Sequence, residues 1–160
     1  MTSPRLPQGR QLLCTWTRAT PSPAARARTV LRQTLVSCEL PVDMISDLVL
    51  ATSELVANAT EHACGPYELW LRRSVTGVVC EVHDRDPRVP DLPPAIDEPP
   101  FAPGPQDRMG GVEALCRVLS ERGRGLRIVN HLSEGCWGFL LPGKGKKIAW
   151  VAFSSGLSSH

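Results

Sequence analysis

The chain has 160 residues, of which 42% are hydrophobic, and its formal net charge is only +2. This length fits one domain with a sizeable core, whereas the small net charge gives no general electrostatic case for direct binding of nucleic acid. No apolar run approaches the roughly 20 residues that span a bilayer, and the N-terminal residues lack a hydrophobic signal core. We therefore expect a cytoplasmic protein that neither crosses a membrane nor binds nucleic acid directly.

The first helix is predicted from a proline that follows a serine. Residues 1–10 read as a disordered leader, and the alternation from Leu12 to Thr17 predicts an edge strand. Ser22 followed by Pro23 then predicts a helix that runs to Val36, with Ser22 as its side-chain N-cap. The arginines of this helix form either a solvated face or a docking surface for an acidic partner.

A second, longer helix is predicted from Asp43 to Ala63 because apolar residues recur there at three- and four-residue steps. Glu54, Asn58 and His62 are four residues apart, so they project from one side of that helix. Such a row of polar side chains either lies on a solvated surface or takes part in binding or catalysis.

Two strands, Tyr67–Arg73 and Val78–Asp84, are predicted to form an antiparallel hairpin because only a short connection through Gly77 joins them. From Arg85 to Met109 eight of the 15 prolines occur, with almost no apolar periodicity, which predicts a long lid-like loop over about residues 85–122. A short helix is predicted within it, from Gly111 to Ser120.

Gly123-Arg124-Gly125 opens another predicted helix, which carries Leu126. Glycines often serve only as turns, but their backbone N–H groups can also approach a phosphate at a helix N-terminus. Two strands, CWGFLL and KKIAWVAF, and a tail at residues 154–160 follow. The element order predicts an α/β fold: a two-layer α/β sandwich over residues 11–153, with a largely antiparallel or mixed sheet and helices on one face.

The six cysteines, Cys14, Cys38, Cys64, Cys80, Cys116 and Cys136, stand singly without any C-x-x-C pair. Most have apolar neighbours, which favours buried free thiols over zinc ligands or disulfides.

Four parts of the chain follow each other in order: the helix segment from Glu54 to Ala63, the strand-ending Asp84, the Gly123–Leu126 segment and the closing strands. Together they resemble the histidine-kinase-like ATPases, the superfamily with the Bergerat ATP-binding fold. The resemblance covers about residues 12–153. In size the chain is most similar to the small anti-sigma factor and serine-protein kinase group of SpoIIAB and RsbW, of actinobacterial type.

The resemblance implies ATP and Mg²⁺ as cofactors and assigns roles to the row on the long helix. Asn58 would ligate Mg²⁺ through its amide oxygen, and Glu54 would be the catalytic general base. His62 would have a supporting role on the phosphate side or a purely structural one.

The remaining roles concern the base and the phosphates. Asp84 would accept a hydrogen bond from the adenine amino group. Gly123, Gly125 and the N–H groups leading into Leu126 would hold the phosphates, and Arg124 would either neutralise phosphate charge or be solvated.

One segment departs from the resemblance. The family's aspartate is followed by two glycines in the pattern Asp-x-Gly-x-Gly, whereas here Asp86 and Arg88 take their places and Pro87 lacks an N–H. The sequence therefore leaves two functions open. One is an anti-sigma factor with serine/threonine-protein kinase activity toward an anti-anti-sigma (STAS-type) antagonist; the other is a nucleotide-gated or degenerate protein-binding module without phosphotransfer. A sigma factor and the STAS-type protein are the expected partners, and dimerisation of the chain stays open.

Overall fold

The computed structural model describes residues 9–90 and 125–154. Its helices and strands follow each other in the predicted order: β1 (Gly9–Trp16), α1 (Pro23–Val36), α2 (Val42–His62), β2 (Tyr67–Ser74), β3 (Gly77–Asp84), α3 (Gly125–Leu132), β4 (Trp137–Gly143) and β5 (Lys146–Ser154). The predicted helix at 111–120, most of the predicted lid and the tail after Ser154 lie outside the described residues.

The strands form one five-stranded sheet in the order β1-β2-β3-β5-β4, and every neighbouring pair is antiparallel. Helix α2 packs against the middle of the sheet and lies between α1 and α3. The predicted two-layer α/β sandwich is thus confirmed, with an antiparallel sheet.

The core lies between the helices and the face of the sheet that carries alternate apolar residues. Its fully buried large side chains come from all three helices and the central strands, and they include Leu31, Leu48, Leu55, Tyr67 and Val82. Because the strands alternate between two faces, Cys80 and Val82 of β3 face the helices while Glu81 and His83 face the opposite side.

Three local predictions need correction. The first strand begins at Gly9 rather than Leu12, so Gly9 and Arg10 belong to the sheet and not to a leader. Helix α1 has the predicted bounds, but Ser22 adopts a left-handed backbone (φ 48°) and makes no side-chain capping bond. Among the described cysteines, which are all free, Cys64 and Cys136 are exposed rather than buried.

A buried acidic group is ion-paired on the side of the sheet without helices. Glu81 is 5% exposed, and its carboxylate lies 3.2 Å from Arg10, 3.4 Å from Arg72 and 3.0 Å from His83. The guanidinium of Arg10 also stacks 4.4 Å from the ring centre of Trp70. Paired charges of this kind offset the cost of burying a carboxylate.

Among the described residues, no helix is both long enough and apolar enough to cross a membrane.

Candidate functional site

A cavity of about 270 Å³ opens between α2 and the ends of β3 and β5. Helix α2 forms one wall, through residues that include Asn58 and His62, and the segment 88–90 forms another. Asp84 and Lys147 line the cavity where the two strands pair. The cavity therefore collects residues from three separate parts of the sequence.

The polar row of α2 passes from the protein interior to solvent along the helix. Glu54 is buried, with 7% of its surface exposed, Asn58 is half-buried and His62 is exposed. The ring of His62 lies 3.8 Å from the carboxylate of Glu61, and both side chains are mostly solvated. The row is therefore solvated at His62, which also borders the cavity, and buried at Glu54.

Within the described residues, one carboxylate oxygen of Asp84 is buried without a hydrogen bond. Its Oδ1 accepts a hydrogen bond of 2.8 Å from the N–H of Asp86, whereas its buried Oδ2 has no hydrogen-bond partner among the described residues. Burial raises the pKa of Asp84, and the N–H of Asp86 and the charge of Lys147 partly counteract this. A buried acceptor without a hydrogen bond is costly, and among the described residues only the ion pair with Lys147 at 3.6 Å offsets that cost, so a ligand that donates to Oδ2 would gain affinity.

Lys147 is a buried cation beside this carboxylate. Its Nζ lies 3.6 Å from Oδ2 of Asp84 and donates a 2.5 Å hydrogen bond to the carbonyl of Arg88. Lys147 therefore links the cavity to the chain segment that follows β3.

That segment is the one in which two glycines of the family pattern are missing. Asp86 accepts hydrogen bonds from the backbone N–H of Arg88 (3.0 Å) and from its guanidinium, at 3.0 and 2.8 Å. These bonds hold the pKa of Asp86 well below its usual range. Non-glycine residues with positive φ occur elsewhere but not at Asp86 or Arg88, so side-chain hydrogen bonds fix this segment in an ordinary backbone conformation.

Glu54 does not line the cavity but lies at the start of α3. A Cβ atom on Gly125 would come within 2.8 Å of Oε2 of Glu54. Leu126, the next residue, is buried in the core. The structure thus brings Glu54, the predicted general base, next to Gly125, the second glycine of the Gly-x-Gly motif. Gly123 and Arg124 lie outside the described residues.

The described residues fit a nucleotide better than a metal alone. Within residues 9–90 and 125–154, no three His, Cys, Asp or Glu side chains are grouped so as to hold a metal ion. Mg²⁺ is commonly bound by one or two protein oxygens together with phosphates of a substrate. Asn58, whose amide borders the cavity, can supply one such oxygen.

Sequence reasoning missed Lys147 and the cavity wall at Arg88, Val89 and Pro90. The signal for Lys147 was its alternation with Ala149 and Val151, which are both buried, because residues two apart on a strand share a face. A lysine in that alternation faces the helices and needs a partner. The wall formed by residues 88–90 had no comparable signal, since it depends on hydrogen bonds within the loop.

The protein is thus a two-layer α/β sandwich with a cavity beside α2 whose lining residues fit a nucleotide. Residues 17–146 match a family model described as "Histidine kinase-like ATPase domain". The chain belongs to that family of ATPase domains. None of the curated proteins matches it.

Proposed function

We propose that the protein binds ATP with Mg²⁺ in the cavity between α2, β3 and β5 and acts as an anti-sigma factor with serine/threonine-protein kinase activity toward a STAS-type antagonist. The observation that supports the nucleotide part is the buried carboxylate of Asp84 beside the cavity, whose Oδ2 makes no hydrogen bond to the described residues and is only ion-paired with Lys147. Membership of the ATPase domain family supports the same choice. The kinase activity and the partners rest on the sequence resemblance.

In this proposal each side chain performs a task that suits its surroundings. Asp84 accepts a hydrogen bond from the amino group of adenine, in a site where burial strengthens the contact. Asn58 would hold Mg²⁺ through a neutral oxygen that does not exchange the metal for a proton. ATP with Mg²⁺ supplies the phosphoryl group that is transferred.

Glu54 acts as general base on the attacking hydroxyl group of the antagonist's serine or threonine. Its burial restricts access of water to the carboxylate, and its position beside Gly125 places it at the N-terminal end of α3. That end of a helix favours anions, so the phosphates would bind near Glu54.

A second function, partner switching by nucleotide occupancy without phosphotransfer, is favoured by the segment Asp86–Arg88. The family pattern has glycines there, whereas here Asp86 and Arg88 form an ion pair of 2.8 Å within the segment. A site of this kind could bind a nucleotide and change the surface around residues 88–90 without catalysing transfer.

Two measurements on the full chain separate these functions. Calorimetry with ATP, with and without Mg²⁺, should give binding that weakens strongly in Asp84→Ala but not in Glu61→Ala. Glu61 is a suitable control because it is solvated on α2 and does not line the cavity. Unchanged affinity for ATP in Asp84→Ala would refute the assignment of Asp84 to the adenine site.

Phosphotransfer is tested with a STAS-type protein and radiolabelled ATP. The kinase proposal expects labelled partner with the wild-type chain and none with Glu54→Ala, while ATP affinity is kept in that variant. ATP binding without any labelled partner would favour the switching function, and equal labelling by Glu54→Ala would remove Glu54 as the base.

A further inference from the structure

The carboxylate oxygen that adenine is proposed to contact is closed off in this structure. Oδ2 of Asp84 is buried and makes no hydrogen bond to the described residues, and the whole side chain is only 1% exposed. A hydrogen bond from an amino group to an oxygen needs a separation of about 2.7–3.2 Å. A base that enters the cavity therefore reaches Oδ2 only after a neighbouring group has moved.

Lys147 is the charged group next to that oxygen. It pairs with Asp84 across β3 and β5, and its Nζ lies 3.6 Å from Oδ2. Both residues line the cavity. Like the amino group of adenine, an ammonium is a nitrogen donor, and it carries a positive charge in addition. Lys147 and an adenine base therefore compete for the same oxygen.

A second contact holds the ammonium of Lys147 in this position. Nζ donates a hydrogen bond of 2.5 Å to the carbonyl of Arg88. Arg88 is itself fixed by Asp86, which accepts hydrogen bonds from its backbone N–H at 3.0 Å and from its guanidinium at 3.0 and 2.8 Å. The contacts thus run without interruption from Asp86 through Arg88 and Lys147 to Asp84. Glycines in the places of Asp86 and Arg88 could not form this ion pair, because they have no side chains.

Competition of this kind lowers the affinity for a ligand by a calculable factor. The site is closed while Lys147 stays at Asp84 and open once the ammonium has moved away. The apparent dissociation constant then equals the intrinsic constant divided by the fraction of molecules in the open state. If about one molecule in ten is open, ATP binds about tenfold more weakly than it would without the lysine.

We propose that Lys147, held by Asp86 and Arg88, is an internal competitor for Asp84, and that ATP binds after the ammonium has left this carboxylate. The inference rests on the proposed nucleotide site and adds a mode of regulation to it. Any event that separates Arg88 from Lys147 raises the affinity for ATP, so the segment from Asp86 to Arg88 controls occupancy of the site.

Calorimetric titration of the full chain with ATP and Mg²⁺ tests the proposal through two variants. Lys147→Met removes the ammonium and keeps a side chain of similar length, and it should bind ATP about tenfold more tightly than the wild type. Asp86→Asn loosens the hold on Arg88 and keeps the backbone N–H that bonds to Asp84, so it should also bind more tightly.

Lys146→Met is the matched control for Lys147→Met. It removes the same charge from the preceding residue of β5, whose side chain points to the other side of the sheet. Its affinity for ATP should equal that of the wild type, and a gain as large as that of Lys147→Met would overturn the inference, because the gain would then follow from net charge alone.

The double variant of Lys147→Met and Asp86→Asn separates this mechanism from a direct effect of Asp86 on the nucleotide. Once the ammonium is absent, Asp86→Asn has nothing further to release, so the double variant should bind ATP no more tightly than Lys147→Met. Gains in affinity that add in full would overturn the inference.

The wild type and Lys147→Met together distinguish failure of this inference from failure of the proposed function. Wild-type binding of ATP with unchanged or weaker binding in Lys147→Met, at an unchanged melting curve, would overturn the inference and keep the nucleotide site. If Lys147→Met does not fold, unchanged or weaker binding in Asp86→Asn overturns it instead. Absence of ATP binding in the wild type and in both variants would refute the proposed function and this inference with it.

Discussion

The carboxylate of Glu54 lies so close to Gly125 that a methyl group on the glycine would come within 2.8 Å of Oε2. Gly125→Ala is therefore expected to push the carboxylate aside. The free energy of unfolding should change little, since alanine favours a helix and the end of a glutamate side chain can rotate. ATP turnover should fall by about tenfold or more, because a displaced base loses its alignment with the attacking group.

Melting curves, calorimetry with ATP and steady-state turnover check this prediction together. Affinity for ATP should be kept, because alanine retains the backbone N–H at position 125. Full turnover by Gly125→Ala would show that the position of the Glu54 carboxylate does not limit catalysis.

Asn58→Ala is expected to remove the contribution of Mg²⁺ to ATP binding. The wild type should bind ATP more weakly once a chelator removes Mg²⁺, whereas the variant should bind equally weakly with and without the metal, because its oxygen ligand is gone. Calorimetry in both conditions measures the effect. A variant that still responds to Mg²⁺ as the wild type does would exclude Asn58 as the ligand.

The buried position of Asp84 predicts a specific dependence of stability on pH. Because burial raises the pKa of Asp84 above its ordinary value of 3.8, the folded protein takes up this proton at a higher pH than the unfolded chain does. Its contribution to stability is therefore largest below that ordinary value and is lost as the pH rises through the raised pKa. Urea unfolding across this range should show the wild type gaining stability relative to Asp84→Asn as the pH falls. A constant difference between the two proteins would contradict the raised pKa.

Tyr67→Phe is expected to destabilise the protein by about 1 kcal/mol, the usual net contribution of one hydrogen bond. The hydroxyl of Tyr67 is buried and donates to the carbonyl of Ala63 at 2.6 Å, just after the end of α2. Arg18 also donates to that carbonyl, at 3.1 Å, which limits the loss, while its 3.4 Å bond to the Tyr67 hydroxyl is removed. The ring remains stacked on Trp16, with centroids 5.5 Å apart. Chemical unfolding measures the change, and a loss above about 3 kcal/mol would mean that the ring packing is disturbed as well.

Local patterns predicted much of the fold from the sequence. The bounds of α1 follow from Pro23 and from the helical repeat of its apolar residues, and the hairpin of β2 and β3 follows from two alternating strands and a short turn. The role of Ser22 was predicted wrongly, because the side-chain rule does not foresee the left-handed backbone at that residue. Strand pairing across about 60 residues, which brings Lys147 to Asp84, has no local pattern to reveal it.

The part of the candidate site on α2 was predictable from the four-residue spacing of its polar side chains. Asn58 and His62 both border the cavity, as their spacing on α2 predicts. Their different burial could not be predicted, since it depends on how far the sheet and α3 extend along α2.

The burial of α2 between two helices and the sheet has a consequence for amide hydrogen exchange. Its central amides, around Ser53 to Val56, lie in the core, so they should exchange only through global unfolding. A bound ligand would then slow their exchange only as much as it raises the stability of the whole protein. Among the residues that the structure describes, additional local protection is expected in the exposed segment around Arg88 and Val89, where the amides can exchange without disturbing the core.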